Sequence, residues 1–322
     1  MQLAGALWAA IFFAQSVPAS PVFAANGGPD ANDVREWKVS CTSEPQSVAL
    51  GRDGRVFFAA TSSSQILAFN PATGATESWQ LQSDTFPRTL ALDASGHVFF
   101  AAVGGEIGRL DPQSGEVQRY TIQGAGTPYW VEVTGSGRVW FSDPAGRRLG
   151  AFDPQTGNTL LFDIAARPYA ITIDAQERVW TVLSDDDSLG VLNPRTGLFK
   201  RIQLKPGARP RAIAAAPDGM LWSVLAGSAV LLRIDGRHVS DFVEYRVPSN
   251  LSAPDSLAIS AEGTVWVSYK GEEAIWRIDH VSRAMEVVNT PAPSHARRQM
   301  APEHGGKVYS VSAGRTTLRS AW

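Results

Sequence analysis

Arg138–Gly157 reads RVWFSDPAGRRLGAFDPQTG, and versions of this stretch recur along nearly the whole chain. Arg138-Val139-Trp140-Phe141 is rich in β-branched and aromatic residues and follows the turn signal Gly135-Ser136-Gly137, so it reads as a strand entered from a tight turn. Leu149-Gly150-Ala151-Phe152 is its partner. In the Asp153-Pro154-Gln155-Thr156-Gly157 segment Asp can cap a turn, Pro fixes φ, and Gly supplies the left-handed conformation that closes a hairpin. With a strand upstream at Trp130 to Thr134 and another at Thr159 to Ile164, the unit predicts four short antiparallel strands in about forty residues.

The unit is written six times. Prolines that precede the first strand stand at Pro45, Pro87, Pro128, Pro168, Pro210 and Pro254, spaced by 42, 41, 40, 42 and 44 residues. The strands after them read SVALG, TLALD, WVEVT, AITID, AIAAA and SLAIS, and the aromatic strands RVFFAA, HVFFAA, RVWFSD, RVWTVL, MLWSVL and TVWVSY. Four of the third-to-fourth connections are near copies: NPATG, DPQSG, DPQTG and NPRTG. A lone four-stranded sheet exposes two faces and two edges, so repeats of this length are expected to stack radially as a β-propeller.

The two ends supply further strands. Ala296 to Ala301, Lys307 to Ala313 and Arg315 to Trp322 read as three strands of a decayed unit, and Val34 to Ser40 as the strand it lacks. The expected fold is therefore all-β: a seven-bladed β-propeller of four-stranded antiparallel blades, its last blade closed by the N-terminal strand and the C-terminal strands. A six-bladed ring with frayed ends is the alternative.

Residues 1–25 carry an apolar run from Leu3 to Ala14 and a Val22-Phe23-Ala24 site, which together read as a secretory signal. That predicts a periplasmic or secreted protein with no membrane span in its mature form; 26–33 reads as a flexible lead-in and 34–322 as the propeller. A net charge of −2 without a basic stripe argues against a nucleic-acid partner. The single cysteine, Cys41, excludes a disulfide framework or a thiolate metal site within the chain, and a monomer is expected.

In a propeller the first strands line the channel, and the residue after each anchor proline should face one mouth. These are Gln46, Arg88, Tyr129, Tyr169, Arg211 and Asp255, with Arg297 and Arg298 near the equivalent place in the last blade. Arginines and tyrosines around one opening suit an anionic or polar ligand. Arg88, Tyr129, Asp255 and Arg297 are thus candidates for ligand binding; a solvated rim with internal ion pairs is the alternative. The partner expected there is a small molecule, peptide, glycan or periplasmic protein. Asp185-Asp186-Asp187 could attract a divalent cation, but no glycine-spaced loop accompanies it, and no metal ligands are assigned. His295 is the one histidine expected on the arginine side.

The repeat resembles the virginiamycin B lyase (streptogramin B lyase) family from about Pro45 to Ile278, best in RPYAITIDAQERVWTVL and GRVWFSDPAGRRLGAFD. The resemblance implies a ring-opening elimination on a cyclic depsipeptide, with histidines after the anchor proline, acidic residues three places after the Trp, and magnesium. Here Tyr169 and Arg211 stand at such histidine positions, and of the acidic positions Asp143 alone is acidic. Two functions follow as expectations: a binding propeller without the family's histidines, or a carbon–oxygen lyase with a divergent site of Asp143, Tyr169, Arg211 and His295. A six-bladed, calcium-dependent lactonase would need converging Glu, Asn and Asp ligands that the sequence does not display.

Overall fold

A computed structural model describes residues 45–239 continuously, together with 34–38, 241–246, 253–269, 274–279, 282, 284–289, 298–302, 308–312 and 317–321. Each repeat folds as four consecutive antiparallel strands. Blade 3, for example, runs Trp130–Val133, Val139–Asp143, Arg148–Phe152 and Thr159–Asp163 from the axis outward. Six blades of this kind are formed from consecutive strands. The expectation of seven blades is corrected to this extent: six blades, not seven, are folded from uninterrupted repeats.

The remaining four-stranded sheet is a seam made by both ends of the chain. In it Val34–Lys38 pairs antiparallel with Thr317–Ala321, which continues to Val308–Ser312 and Arg298–Pro302. An apolar cluster joins the seam to blade 1 through Tyr309 and Ala301 against Val48, Val56 and Phe58. Another joins it to blade 6 through Met300 and Val308 against Ala258 and Trp266. With both flanks covered, the sheets encircle one axis.

The second strand of every repeat blade is buried along its whole length apart from the half-buried Met220 at the start of blade 5's, which is why those strands are almost purely aromatic, β-branched or small. Their large side chains fill the spaces between blades: Trp140 packs with Leu149, Ile171 and Val179 between blades 3 and 4, and Trp180 with Leu189, Ile213 and Leu221 between blades 4 and 5. Outer strands are more exposed, and in blade 1 the outer strand, Thr76–Gln80, is exposed and mostly polar.

Inner strands of neighbouring blades share no backbone ladder, and side-chain hydroxyls stitch them together instead. Ser47 Oγ accepts from Leu90 N–H at 3.0 Å, Thr89 Oγ1 from Val131 N–H at 3.2 Å, and Thr172 Oγ1 from Ala215 N–H at 3.2 Å. These bonds satisfy amide donors that would otherwise face the channel without a partner.

The DPxTG-type turns lie at the rim opposite the anchor prolines. Asp153 shows their logic: its carboxylate accepts from Gln155 N–H at 2.9 Å, Gly157 N–H bonds back to Asp153 O at 2.8 Å, and Gly157 has φ +76°. The hydrogen bond from the Gln155 amide, with that from the Thr156 hydroxyl next, holds the Asp153 carboxyl below its usual range.

Candidate functional site

Four anchor prolines begin their inner strands, and at each of them the ladder slips: the register shifts between Pro45 and Ser47, Pro87 and Leu90, Pro210 and Ala212, and Pro254 and Ser256. Proline has no N–H to give the ladder, and the extra residue of a bulge re-aims its side chain. The bulges fall on Gln46, Arg88, Arg211 and Asp255, the positions that sequence places at the mouth.

Tyr129, Tyr169, Arg211 and Asp255 line one pocket of about 320 Å³, together with Trp130, Ser184, Asp185 and Ser256. Arg211 Nε lies 2.8 Å from Asp255 Oδ1, and the Asp255 side chain is only 8 % exposed, so this ion pair forms a fixed floor. The Tyr129 and Tyr169 rings meet edge to face with centroids 5.7 Å apart. Arg88 reaches the group indirectly, its guanidinium 5.5 Å above the Tyr129 ring. Tyr169 donates its hydroxyl to Asp185 Oδ2 at 3.1 Å, and Arg167 lies 3.8 Å from the same oxygen. Burial, with the Asp185 charge next, raises the Tyr169 phenol above its ordinary range. At neutral pH it is therefore a hydrogen-bond donor and not a base.

Asp143 is not part of this pocket. Its carboxylate is fully buried and accepts from Gly126 N–H at 2.6 Å, Gly146 N–H at 2.8 Å and Thr127 N–H at 3.1 Å, clamping the connection that enters blade 3 to the hairpin beside it. Asp187 makes the same kind of clamp on Gly207 and Arg209, at 2.7 and 2.8 Å. The three consecutive aspartates thus separate: Asp185 faces the pocket, Asp186 sits 3.4 Å from Arg201, and Asp187 closes a loop. His295 and Arg297 lie outside the described residues.

Sequence reading missed Trp130, Ser184 and Ser256 as pocket residues, and it missed Glu132. Trp130, Ala212 and Ser256 also line the central channel, so the pocket adjoins it. Glu132 is the one titratable residue on that channel wall among the described residues, and burial pushes its carboxyl up to about 7. A signal was available: WVEVT places a carboxylate where the other first strands carry small, apolar or hydroxyl side chains.

The sign of its effect on stability follows. Between its ordinary value of 4.5 and about 7, the unfolded chain releases this proton and the folded one keeps it, so stability falls as pH rises across that window. At pH 8 the cost is at most about 3 kcal/mol. Glu132→Gln is expected to melt higher than the parent at pH 8 and no higher at pH 5; equal shifts at both pH values would refute this.

The magnesium that the resemblance implies does not fit the residues present. Among the described residues no group of three or more His, Cys, Asp or Glu side chains could hold a metal ion. In the pocket the two carboxylates already answer guanidinium groups, Asp255 that of Arg211 and Asp185 that of Arg167. Two histidines are placed on the far rim: His97 bridges Asp93 and Arg109 at 2.8 Å each, and His238 lies 3.2 Å from Asp235. No described helix is long and apolar enough to cross a membrane.

Solved structures with the same architecture include virginiamycin B lyase from Staphylococcus aureus, with a TM-score of 0.80, 18 % identity, and coverage of 89 % of this chain and 98 % of that one. A streptogramin B lyase matches with a TM-score of 0.80, 20 % identity, and 89 % and 96 % coverage. The extracellular domain of the hybrid two component system BT4673 from B. thetaiotaomicron matches at 0.71 and 16 % identity, covering 89 % of this chain and 42 % of that one. These likenesses establish the fold alone. Comparison with curated protein sequences gives no match. The sequence does match the virginiamycin B lyase family over residues 31–312, and the chain belongs to that family.

Proposed function

We propose that this chain is an exported binding propeller that captures a polar ligand at the mouth formed by Tyr129, Tyr169, Arg211 and Asp255. The observation that carries this reading is the convergence of those four side chains, from four different blades, on one pocket of about 320 Å³. Arg211 is held by Asp255 yet its side chain remains 38 % exposed, so guanidinium donors are left to meet a carbonyl or carboxylate. The two tyrosine rings offer flat apolar area and, at Tyr169, a donor.

An elimination needs a base beside the proton to be removed and a group that stabilises the developing charge. Arg211 could serve the second task, but the pocket supplies no neutral base: Tyr169 is held protonated, and Asp185 and Asp255 are ion-paired. Family membership favours the second reading, a lyase with a divergent site, and one experiment separates the two. A catalytically inactive histidine-to-alanine variant of virginiamycin B lyase has been solved with quinupristin, which makes quinupristin the probe. Incubated with it and magnesium, the protein is expected to bind and leave the ring closed, as read by mass spectrometry. Arg211→Ala and Tyr169→Ala should each weaken binding about tenfold, or ~1.4 kcal/mol. Ring opening that disappears in Arg211→Ala would establish the lyase reading instead.

A further inference from the structure

The channel behind the pocket has a volume of about 420 Å³ and is walled by Leu50, Leu92, Val133, Ile213 and Ile259 among others. We propose that it receives an apolar arm ending in an organic ammonium group, carried by the ligand held at the mouth, with Glu132 as the counter-ion. This rests on the mouth being a ligand site.

Three observations point to that chemistry. First, mouth and channel adjoin, because Trp130, Ala212 and Ser256 line both. Second, Glu132 stands in an otherwise uncharged wall, and the other inner strands place no titratable side chain on it among the described residues. The hydrogen bond its carboxylate accepts comes from Trp130 Nε1 on its own strand at 3.3 Å, which leaves acceptor sites open toward the lumen. A carboxylate so placed is costly when ionised alone, as its upward shift to about 7 records, and a cation beside it would reverse that shift.

Third, the wall suits an organic cation better than a metal ion. A hard divalent ion takes six or more oxygen ligands, whereas the channel lining is mostly aliphatic, and two of its few hydroxyls, Ser47 and Thr172, already accept backbone N–H bonds from a neighbouring blade. Leucine, isoleucine and valine walls cover an alkyl or aryl arm, and the Trp130 indole lines the same channel beside Glu132.

The test uses 4-phenylbutylammonium chloride, with 4-phenylbutanol as its uncharged analogue, in isothermal titration against the whole protein. Neither probe carries a carboxylate or other anion to pair with the arginine at the mouth, so the result reads the channel whatever the quinupristin experiment gives. The amine is expected to bind about tenfold tighter at pH 8 than at pH 5.5, where Glu132 is protonated, and to release a proton near pH 6.5. Glu132→Gln, which preserves shape, should bring the amine down to the affinity of the alcohol and abolish the pH dependence. Equal binding of amine and alcohol, an unchanged affinity in Glu132→Gln, or no binding of the amine at pH 8 would each overturn the proposal.

Discussion

Asp143→Ala is expected to cost the protein on the order of 4 kcal/mol of stability, because hydrogen bonds to a charged group contribute about 1.5–3 kcal/mol each and three of them are lost together. The Asp143 carboxylate is fully buried and accepts three backbone N–H bonds, from Gly126, Thr127 and Gly146. No alanine can replace them, and the loop is closed tightly on the carboxylate: a Cβ on Gly146 would stand 2.2 Å from the Asp143 carboxylate, so chain and carboxylate are already in contact. For a domain of this size the melting temperature should fall by roughly 7 °C. Asp143→Asn retains one acceptor oxygen and turns an NH2 toward amide donors, so it should lie between the two. Calorimetry checks both variants. If Asp143 acted instead as an acid or base of a lyase, Asp143→Asn would abolish turnover at an unchanged melting temperature, an outcome that excludes the clamp.

That residue also marks where the sequence stops being legible. The period of about 42 residues, the aromatic second strands and the anchor prolines state the architecture because burial on both faces and the ladder's demand for N–H donors restrict which residues can stand there. The same prolines interrupt the ladder, and the bulges that follow them fall on Arg211 and Asp255, which line the pocket. What sequence could not show was which partner a polar group finds. Asp143 and Asp187 look like chemistry in a string of letters and are loop clamps in space; Asp-Pro-Ala-Gly with Gly124 and Gly126 upstream was the hint of a loop closing on a carboxylate. Glu132 carries the opposite lesson. It sat unremarked in an alternating strand, and only the closure of the ring around the axis makes it the one described charge on the channel wall.

The blade interior gives the second large effect. Gly150 faces Phe141 across the second and third strands of blade 3, and a Cβ at Gly150 would lie 2.0 Å from the ring's Cζ. Blade 2 repeats the arrangement with Gly108 and Phe100, where the distance is 1.9 Å. The glycine is needed for room: the Phe ring lies flat over the next strand, and both Phe141 and Phe100 are fully buried with no space to retreat. Gly150→Val should therefore destabilise by at least about 3 kcal/mol, the upper end for overpacking a filled core. Gly150→Ala should cost less, on the order of 2 kcal/mol. Because the two residues compete for one volume, the effects of Gly150→Ala and Phe141→Leu should not add: the double variant is expected to recover about 1 kcal/mol or more relative to the sum of the singles. Urea melts of the four proteins measure that coupling. Strict additivity would mean that the backbone, and not the ring, yields to the new methyl group.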